Sequence, residues 1–210
     1  MRKRIGLFSV MLLAIMTIAS VAVAAGHLQA STTDVQDTYW FADGTSAGGK
    51  SVLTRTPGMV TVVVEGANLE PGDAYTIWWV VFNDPAKCSD ECGEDDIFTE
   101  SGALNIAGVE AAEIGIGNAT GNIAKADGTA EFGAILRPGP FADTGHQLLF
   151  PAGLVGDALL TASGNNAEIH IVIQSHGQAR GGPQLLSQLT YFEAGCTPFC
   201  EDVQFSVHKP

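Results

Sequence analysis

The segment at residues 83–96, NDPAKCSDECGEDD, places two cysteines and a dense set of carboxylates directly after the most apolar run that follows the N-terminal segment. The carboxylates are Asp84, Asp90, Glu91, Glu94, Asp95 and Asp96. Calcium takes about six to eight oxygen ligands, so the segment is a candidate calcium site. It lacks the fixed spacing of the helix-loop-helix calcium loop. We therefore interpret it as a solvated loop, with Asp84, Asp95 and Asp96 as the ligands if calcium binds.

Histidines are the second set of residues that could do chemistry, because imidazole is the commonest transition-metal ligand. His170 and His176 alternate onto one strand face in AEIHIVIQSH, but their separation of about 20 Å prevents them from sharing an ion without a bend. His170 and His208 would face each other if the last strand pairs suitably, and they are the candidate transition-metal ligands. The default interpretation is that these histidines are hydrogen-bonded or exposed.

Two local patterns bear on nucleophilic or phosphate chemistry. The adjacent Ser175 and His176 do not make a triad by themselves, because geometry defines a triad. The glycine-rich GIGNATG lacks the Lys-Ser/Thr ending of a phosphate loop and is interpreted as a turn. No catalytic residue is predicted.

The four cysteines form two pairs of equal spacing, Cys88 with Cys92 and Cys196 with Cys200. Four cysteines allow three pairings, which sequence cannot distinguish. Disulfides are favoured over a four-thiolate zinc site because zinc ribbons usually use shorter spacing and occur where thiols stay reduced. Pairing within each close pair is the prediction.

The N-terminus indicates export. Residues 1–25 combine Arg2, Lys3 and Arg4 with a long apolar stretch and small residues before position 26, as in a cleaved signal peptide. An uncleaved membrane anchor is the alternative, since the stretch has about 20 residues. The prediction is a secreted, periplasmic or cell-envelope protein, with no membrane span after signal cleavage.

The chain is strongly acidic. Its formal charge of −13 becomes −16 when the three signal-peptide cations are removed. Such a surface repels phosphate backbones, so nucleic acid is excluded as a partner. The charge keeps the protein soluble or attracts cations. An extracellular or envelope partner of unknown identity is expected.

Short apolar or alternating segments separated by Gly, Pro, Asn and Asp predict an all-β fold. We expect a single Greek-key or jelly-roll-like β-sandwich at residues 51–210, with residues 26–50 as an N-terminal extension or edge segment. The sequence does not fix the strand order, so a barrel stays open as an alternative. YTIWWVVFN predicts a central strand covered on both faces, and GNIAKADGTAEFGAIL predicts a hairpin. Ile169, Ile171 and Ile173 are expected inside.

The last strand, VQFSVH, also alternates. Val203, Phe205 and Val207 are therefore predicted to face inward, and Gln204, Ser206 and His208 outward. The preceding PQLLSQLTYFEAG is ambiguous between a short helix after Pro183 and a strand.

The run GNIAKADGTAEF resembles the GNI…ADG segment of copper/zinc superoxide dismutases, which are exported β-sandwiches. Those enzymes carry a His-x-His strand for copper, and this chain has no His-x-His, so no metal ligands are transferred. Over Val52 to His208 the chain is similar to a group of exported bacterial proteins of unknown activity through YTIWWVVFN, EIHIVIQSHG and VQFSVH. This resemblance implies export and a β-sandwich fold.

These observations favour an exported, non-enzymatic β-sandwich domain that acts as a binding or cell-envelope structural module. A metal-dependent exported enzyme that uses His170, His176 and His208 is one alternative. A calcium-stabilised adhesion domain that uses residues 83–96 is another. No other cofactor is expected.

Overall fold

The computed structural model describes residues 31–140, 157–159, 165–192, 194–196 and 200–210. The predicted signal at residues 1–25 lies outside these ranges. The strands are β1 Thr32–Trp40, β2 Ser46–Thr56, β3 Met59–Gly66, β4 Asp73–Phe82, β5 Ile114–Ile123, β6 Ala130–Leu136, β7 Gly139–Pro140, β8 Asp157–Leu159, β9 Glu168–Gln178 and β10 Glu201–His208. The helices are α1 Glu94–Ile97, α2 Ile106–Ala111 and α3 Pro183–Gln188, with a 3-10 turn at Pro85–Lys87. None of the described helices is long and apolar enough to span a membrane.

Eight of the strands form one antiparallel sheet in the order β5-β4-β9-β10-β1-β2-β3-β6. Strand β6 pairs with β3 although β4 and β5 intervene in the chain, which is a Greek-key connection. At the two ends of this order, Asn122 of β5 donates a 2.7 Å hydrogen bond to the carbonyl of Glu131 in β6. The sheet is therefore nearly closed.

The all-β class and the two cysteine pairs at disulfide distance are confirmed, and each pair joins neighbours in sequence. The sheet is barrel-like rather than a clear two-sheet sandwich. The reason is that β1 pairs with both β2 and β10, which makes the two halves of the fold continuous. Strand β1 consequently lies within the strand order rather than at an edge, and the predicted boundary at residue 51 falls inside β2.

The inner face of the sheet carries the main apolar core. Ile169, Ile171 and Ile173 are fully buried there, as predicted. They lie beside Trp79 of β4 and Leu53 of β2, which belong to the same cluster. Burying an aliphatic side chain of this size stabilises the fold by about 1.5–3 kcal/mol, so this face dominates folding.

The outer face of β4 is buried too, which confirms the prediction of a strand covered on both sides. Trp78, Val80 and Phe82 pack with residues of the segment that follows, at 83–113. The covering residues are Cys88, Cys92, Ile97, Phe98, Leu104, Val109 and Ala112. Residues 83–113, which we call the flap, thus lie over a buried strand and include the first cysteine pair and the carboxylates.

The orientation predicted for the last strand is wrong. Gln204, Ser206 and His208 are buried on the inner face, and Val203, Phe205 and Val207 are only half-buried. Register explains the reversal: Ser206 pairs with Ile171 and His208 with Ile169, so these polar residues share the face of the inward isoleucines. His208 has polar partners there in Ser51 and Asp34, and Gln204 Nε2 donates to the carbonyl of Ala67 at 2.6 Å. Ser206 Oγ and Gln204 Oε1 are buried without a hydrogen-bond partner among the described residues.

Two local predictions were also settled by the tertiary structure. GIGNATG is not a turn but most of β5, where Gly117 pairs with Trp79. A side chain at Gly121 would lie 2.6 Å from the carbonyl oxygen of Leu189, so glycine there allows the α3 segment to approach β5. The ambiguous PQLLSQ forms the helix α3.

Candidate functional site

A pocket of about 140 Å³ lies on the outer face of β4 and β9. Its floor is formed by Trp78, Val80 and Phe82 of β4 and by His170 and Val172 of β9. The walls are formed by Phe41, Gly93, Glu94, Ile97, Phe98, Ile116, Phe192 and Asp202. The pocket is therefore built where the flap, the segment after α3 and the start of β10 meet over the sheet. An apolar cavity of about 150 Å³ accepts a benzene-sized molecule.

Aromatic rings dominate the lining. Phe192 meets Trp78 edge to face, with ring centroids 5.2 Å apart and an interplanar angle of 89°. His170 lies against Phe82 with ring centroids 4.9 Å apart. Such pairs hold one another in fixed orientations. The ring faces are therefore already ordered around the pocket.

The charged groups in the lining are carboxylates. Glu94 and Asp202 lie at the pocket, and among the described residues neither a lysine nor an arginine contributes to it. His170 donates a 2.8 Å hydrogen bond from Nε2 to the buried carboxylate of Glu168.

The position of Trp78 is fixed by a hydrogen-bond chain beneath the pocket. Its indole N–H donates to Thr76 Oγ1 at 2.8 Å, and Thr76 Oγ1 lies 2.8 Å from His176 Nε2. His176 Nδ1 donates to the carbonyl of Ala194 at 2.8 Å. The side chains of Trp78, Thr76 and His176 are all buried, so these linked hydrogen bonds hold the indole in place from beneath the pocket.

A second group of reactive side chains lies where this series of hydrogen bonds ends, around His176. His176, Cys196 and Cys200 place their ligand atoms within 4.8 Å of one another, and they are the metal-compatible group found among the described residues. Sequence reasoning treated the histidine and the cysteines separately. The Cys196–Cys200 pair follows α3, and Gln188 of α3 donates to the carbonyl of His176 at 3.0 Å, which ties this segment to β9.

The inner face contains a serine, histidine and aspartate in the order of a catalytic triad. Ser51 Oγ lies 2.8 Å from His208 Nε2, and His208 Nδ1 donates to Asp34 Oδ2 at 2.8 Å. Arg55 donates to the carbonyl of His208 at 3.2 Å. However, Ser51 and His208 are fully buried, so a substrate cannot reach Oγ. The arrangement is a buried hydrogen-bond network that closes β1, β2 and β10 together.

Acid is expected to destabilise the protein below about pH 6.5. Burial lowers the pKa of both His176 and His208, although the hydrogen bond from His208 to Asp34 partly opposes the shift. An unfolded histidine binds its proton near pH 6.5, so the unfolded state binds more protons than the folded state below that pH. Stability present above pH 6.5 is then lost as pH falls towards the folded pKa values, by up to about 1.4 kcal/mol per pH unit for each histidine.

Urea unfolding between pH 8 and pH 5 checks this expectation. His176→Gln and His208→Gln should each flatten the dependence, because each removes one of the two proton-linked groups. A midpoint that stays constant from pH 7 to pH 5 in the unsubstituted protein would contradict the burial of two neutral histidines.

The predicted calcium ligands have different environments. Asp96 is buried, and its two carboxylate oxygens accept hydrogen bonds from the backbone N–H of Ser89 at 2.8 Å and of Gly93 at 3.1 Å. Asp95 is exposed, and Asp84 is half-buried before the 3-10 turn. Asp96 therefore has a structural role in closing the disulfide loop. Calcium binding by the three residues stays a prediction.

The predicted facing of His170 and His208 does not occur. His170 pairs with Val207 and His208 with Ile169, so the two imidazoles lie on opposite faces of the sheet. His170 lines the outer pocket, and His208 is hydrogen-bonded inside. His176 lies on the outer face six residues from His170, next to the cysteines. The structure thus divides the three histidines among three separate environments.

The pocket itself was missed by sequence reasoning. One signal pointed to it: β4 is apolar on both faces, so a second set of apolar residues had to cover Trp78, Val80 and Phe82. The residues that surround this floor come from distant segments, around Phe41, residues 93–98, Phe192 and Asp202, which pattern alone does not join. The gap that they leave between them could not be read from the sequence.

Comparisons with known proteins give no match. No model of a protein family, no curated protein and no solved structure matches this chain. The resemblances to exported bacterial proteins and to superoxide dismutases therefore stay predictions, and function has to be argued from the site.

Proposed function

We propose that this chain is an exported, non-enzymatic binding module whose ligand is a small organic cation held in the aromatic pocket. The observation that supports the proposal is the composition of the lining, in which aromatic rings surround a benzene-sized space and the charged groups are acidic. Ligand sites are mostly apolar clefts with a few polar groups that set orientation. The pocket has both properties.

The preference for a cation follows from two electrostatic terms. An ammonium group over an aromatic face gains about 0.5–2 kcal/mol, and quaternary ammonium ions are recognised by several such faces at once. Glu94 and Asp202 add a negative potential at the same pocket. The overall charge of −13 adds long-range attraction for cations and repulsion for anions.

A binding role is favoured over catalysis because the nucleophile geometry of the inner face is inaccessible. Ser51 Oγ has a triad-like environment but is fully buried. The pocket contains His170, oriented by Glu168, but no serine, cysteine or threonine of the part of the chain that the structure describes lines it. The pocket therefore offers a shaped, ordered surface rather than a nucleophile with its base.

Three ligands of nearly equal shape and different charge test the proposal. Choline, neutral 3,3-dimethyl-1-butanol and anionic 3,3-dimethylbutyrate are titrated into the protein while tryptophan fluorescence and heat are recorded. We expect choline to bind at least about tenfold more tightly than the alcohol, which corresponds to about 1.4 kcal/mol. The carboxylate should bind most weakly. Equal affinities for choline and the alcohol would contradict the preference for cations, and no binding by either would contradict the site.

Two substitutions link binding to the pocket. Val172→Trp fills the floor between β4 and β9 and should abolish choline binding, whereas Val63→Trp, on an exposed position of β3, should leave it unchanged. Glu94→Gln keeps the shape and removes a rim charge, so it should weaken choline binding a few-fold at low salt without affecting the alcohol. Choline binding that survives Val172→Trp would place the ligand elsewhere.

A further inference from the structure

His176, Cys196 and Cys200 form a ligand set that the proposed binding function does not use. His176 Nδ1 lies 3.3 Å from Sγ of Cys200 and 3.9 Å from Sγ of Cys196. A tetrahedral zinc ion, with bonds of about 2.3 Å to sulfur and about 2.0 Å to nitrogen, separates its nitrogen and sulfur ligands by about 3.5 Å. The two observed distances fall on either side of that value. The imidazole is therefore placed as a metal ligand would be.

We propose that the Cys196–Cys200 disulfide is a redox-gated metal site. After reduction, His176, Cys196 and Cys200 bind one thiophilic cation, Zn²⁺ or Cu⁺, and leave the remaining coordination position open. Soft thiolates with one imidazole suit these ions. In the oxidised form both sulfurs are bonded to each other and the site is closed to metal.

The chemistry balances in two steps. A dithiol reductant transfers two electrons and two protons to the sulfur–sulfur bond of Cys196 and Cys200 and leaves as its own disulfide. Metal binding then displaces the two thiol protons. The remaining proton of His176 moves from Nδ1 to Nε2 by exchange with solvent, so the hydrogen bond from Nδ1 to the carbonyl of Ala194 is given up and Nδ1 can coordinate the metal.

The outer partner that such an imidazole needs is already in position. Thr76 Oγ1 lies 2.8 Å from His176 Nε2 and can accept its N–H, while it also accepts the indole N–H of Trp78 at 2.8 Å. Metal-bound histidines nearly always donate their second N–H to such a partner, and loss of the partner weakens metal binding by about 10–100-fold. Thr76 is fully buried, so this orientation is rigid.

The chain contains its own matched control. Cys88 and Cys92 have the same spacing and also lie at disulfide distance, but no third ligand joins them among the described residues. If spacing alone made a metal site, both pairs would bind equally. If His176 completes the site, metal affinity should differ between them.

The experiment compares two double variants after anaerobic reduction with a phosphine. In Cys88→Ser/Cys92→Ser, Co²⁺ should produce a thiolate-to-cobalt charge-transfer band, and Zn²⁺ should displace it. Native mass should show one zinc gained with two protons lost. In Cys196→Ser/Cys200→Ser the affinity for Co²⁺ should be about 100-fold lower, because two thiolates without an imidazole remain.

Two further variants, made on the Cys88→Ser/Cys92→Ser background, test the role of the histidine. His176→Asn should lower the affinity for Zn²⁺ by about 100-fold, and Thr76→Val, which keeps the histidine, by about tenfold. Equal affinities of the two double variants, or unchanged affinity in His176→Asn, would overturn the proposal. Near-ultraviolet circular dichroism follows folding throughout. Reduced protein that loses its tertiary signal and binds no metal also overturns it, because the proposal requires the site to persist after reduction.

Discussion

Replacing His208 with alanine is expected to lower the free energy of unfolding by about 3–5 kcal/mol. The imidazole is fully buried and bridges Ser51 on β2 to Asp34 on β1. Its removal leaves a cavity and deprives the buried Ser51 hydroxyl of its partner, which by itself costs about 1–3 kcal/mol. Thermal unfolding should shift down by about 6–20 °C.

Related substitutions distinguish the contribution of this hydrogen-bond network to stability from the contribution of local packing. Ser51→Ala should cost less than His208→Ala, since it removes one partner and little volume. Asp34→Asn should cost least, because an amide oxygen can still accept from Nδ1 and the aspartate is partly exposed. Val207→Ala, on the neighbouring half-buried position, is the matched control and should cost about 1 kcal/mol. Denaturant titration measures all four. A loss below about 1 kcal/mol for His208→Ala would contradict a structural role for the network.

Replacing Asp96 with alanine is expected to lower the free energy of unfolding by about 2–4 kcal/mol. Its carboxylate accepts from the backbone N–H groups of Ser89 and Gly93, and so ties the disulfide loop to the start of α1. Both N–H groups would lose a charged acceptor at a position that is 2% exposed. Because this segment covers the outer face of β4, loosening it should also weaken choline binding. Urea unfolding and amide exchange at Ser89 and Gly93 check the prediction.

Asp95→Ala is the matched control, since Asp95 is adjacent and exposed and should change stability by no more than about 0.5 kcal/mol. Asp96→Asn keeps one carbonyl acceptor and should cost about half as much as Asp96→Ala. If calcium instead stabilised this loop, Asp84→Ala and Asp95→Ala would be as costly as Asp96→Ala, and a chelator would lower the melting temperature. That pattern would contradict the capping role and support the calcium prediction.

The two cysteine pairs share one spacing but lie in different surroundings. Cys92 packs with the apolar residues that cover β4, whereas Cys200 lies beside a buried histidine. The same spacing can therefore stabilise the flap at Cys88–Cys92 and, in the proposed site, control metal binding at Cys196–Cys200. A single spacing does not define a chemical role, because the third group comes from a distant strand.

Sequence alone determined the features that depend on neighbouring residues. The local cysteine pairing was favoured by short separations, but the sequence left three pairings open and the structure selected one. The all-β class, the strand buried on both faces and the inward isoleucines of β9 follow from alternation and turn residues. These patterns are local because side chains of a strand alternate between its faces whatever it pairs with.

The tertiary structure decided what depends on register and on contacts between distant segments. Whether Gln204 and His208 face inward depends on pairing with β9, and a shift of one residue would reverse it. The aromatic pocket needs Phe41, Phe98 and Phe192 to converge on β4, and the cysteine–histidine cluster needs the segment after α3 to fold back onto β9. His208 is accommodated in the core because the distant residues Ser51 and Asp34 satisfy its hydrogen bonds, and no local pattern encodes those partners.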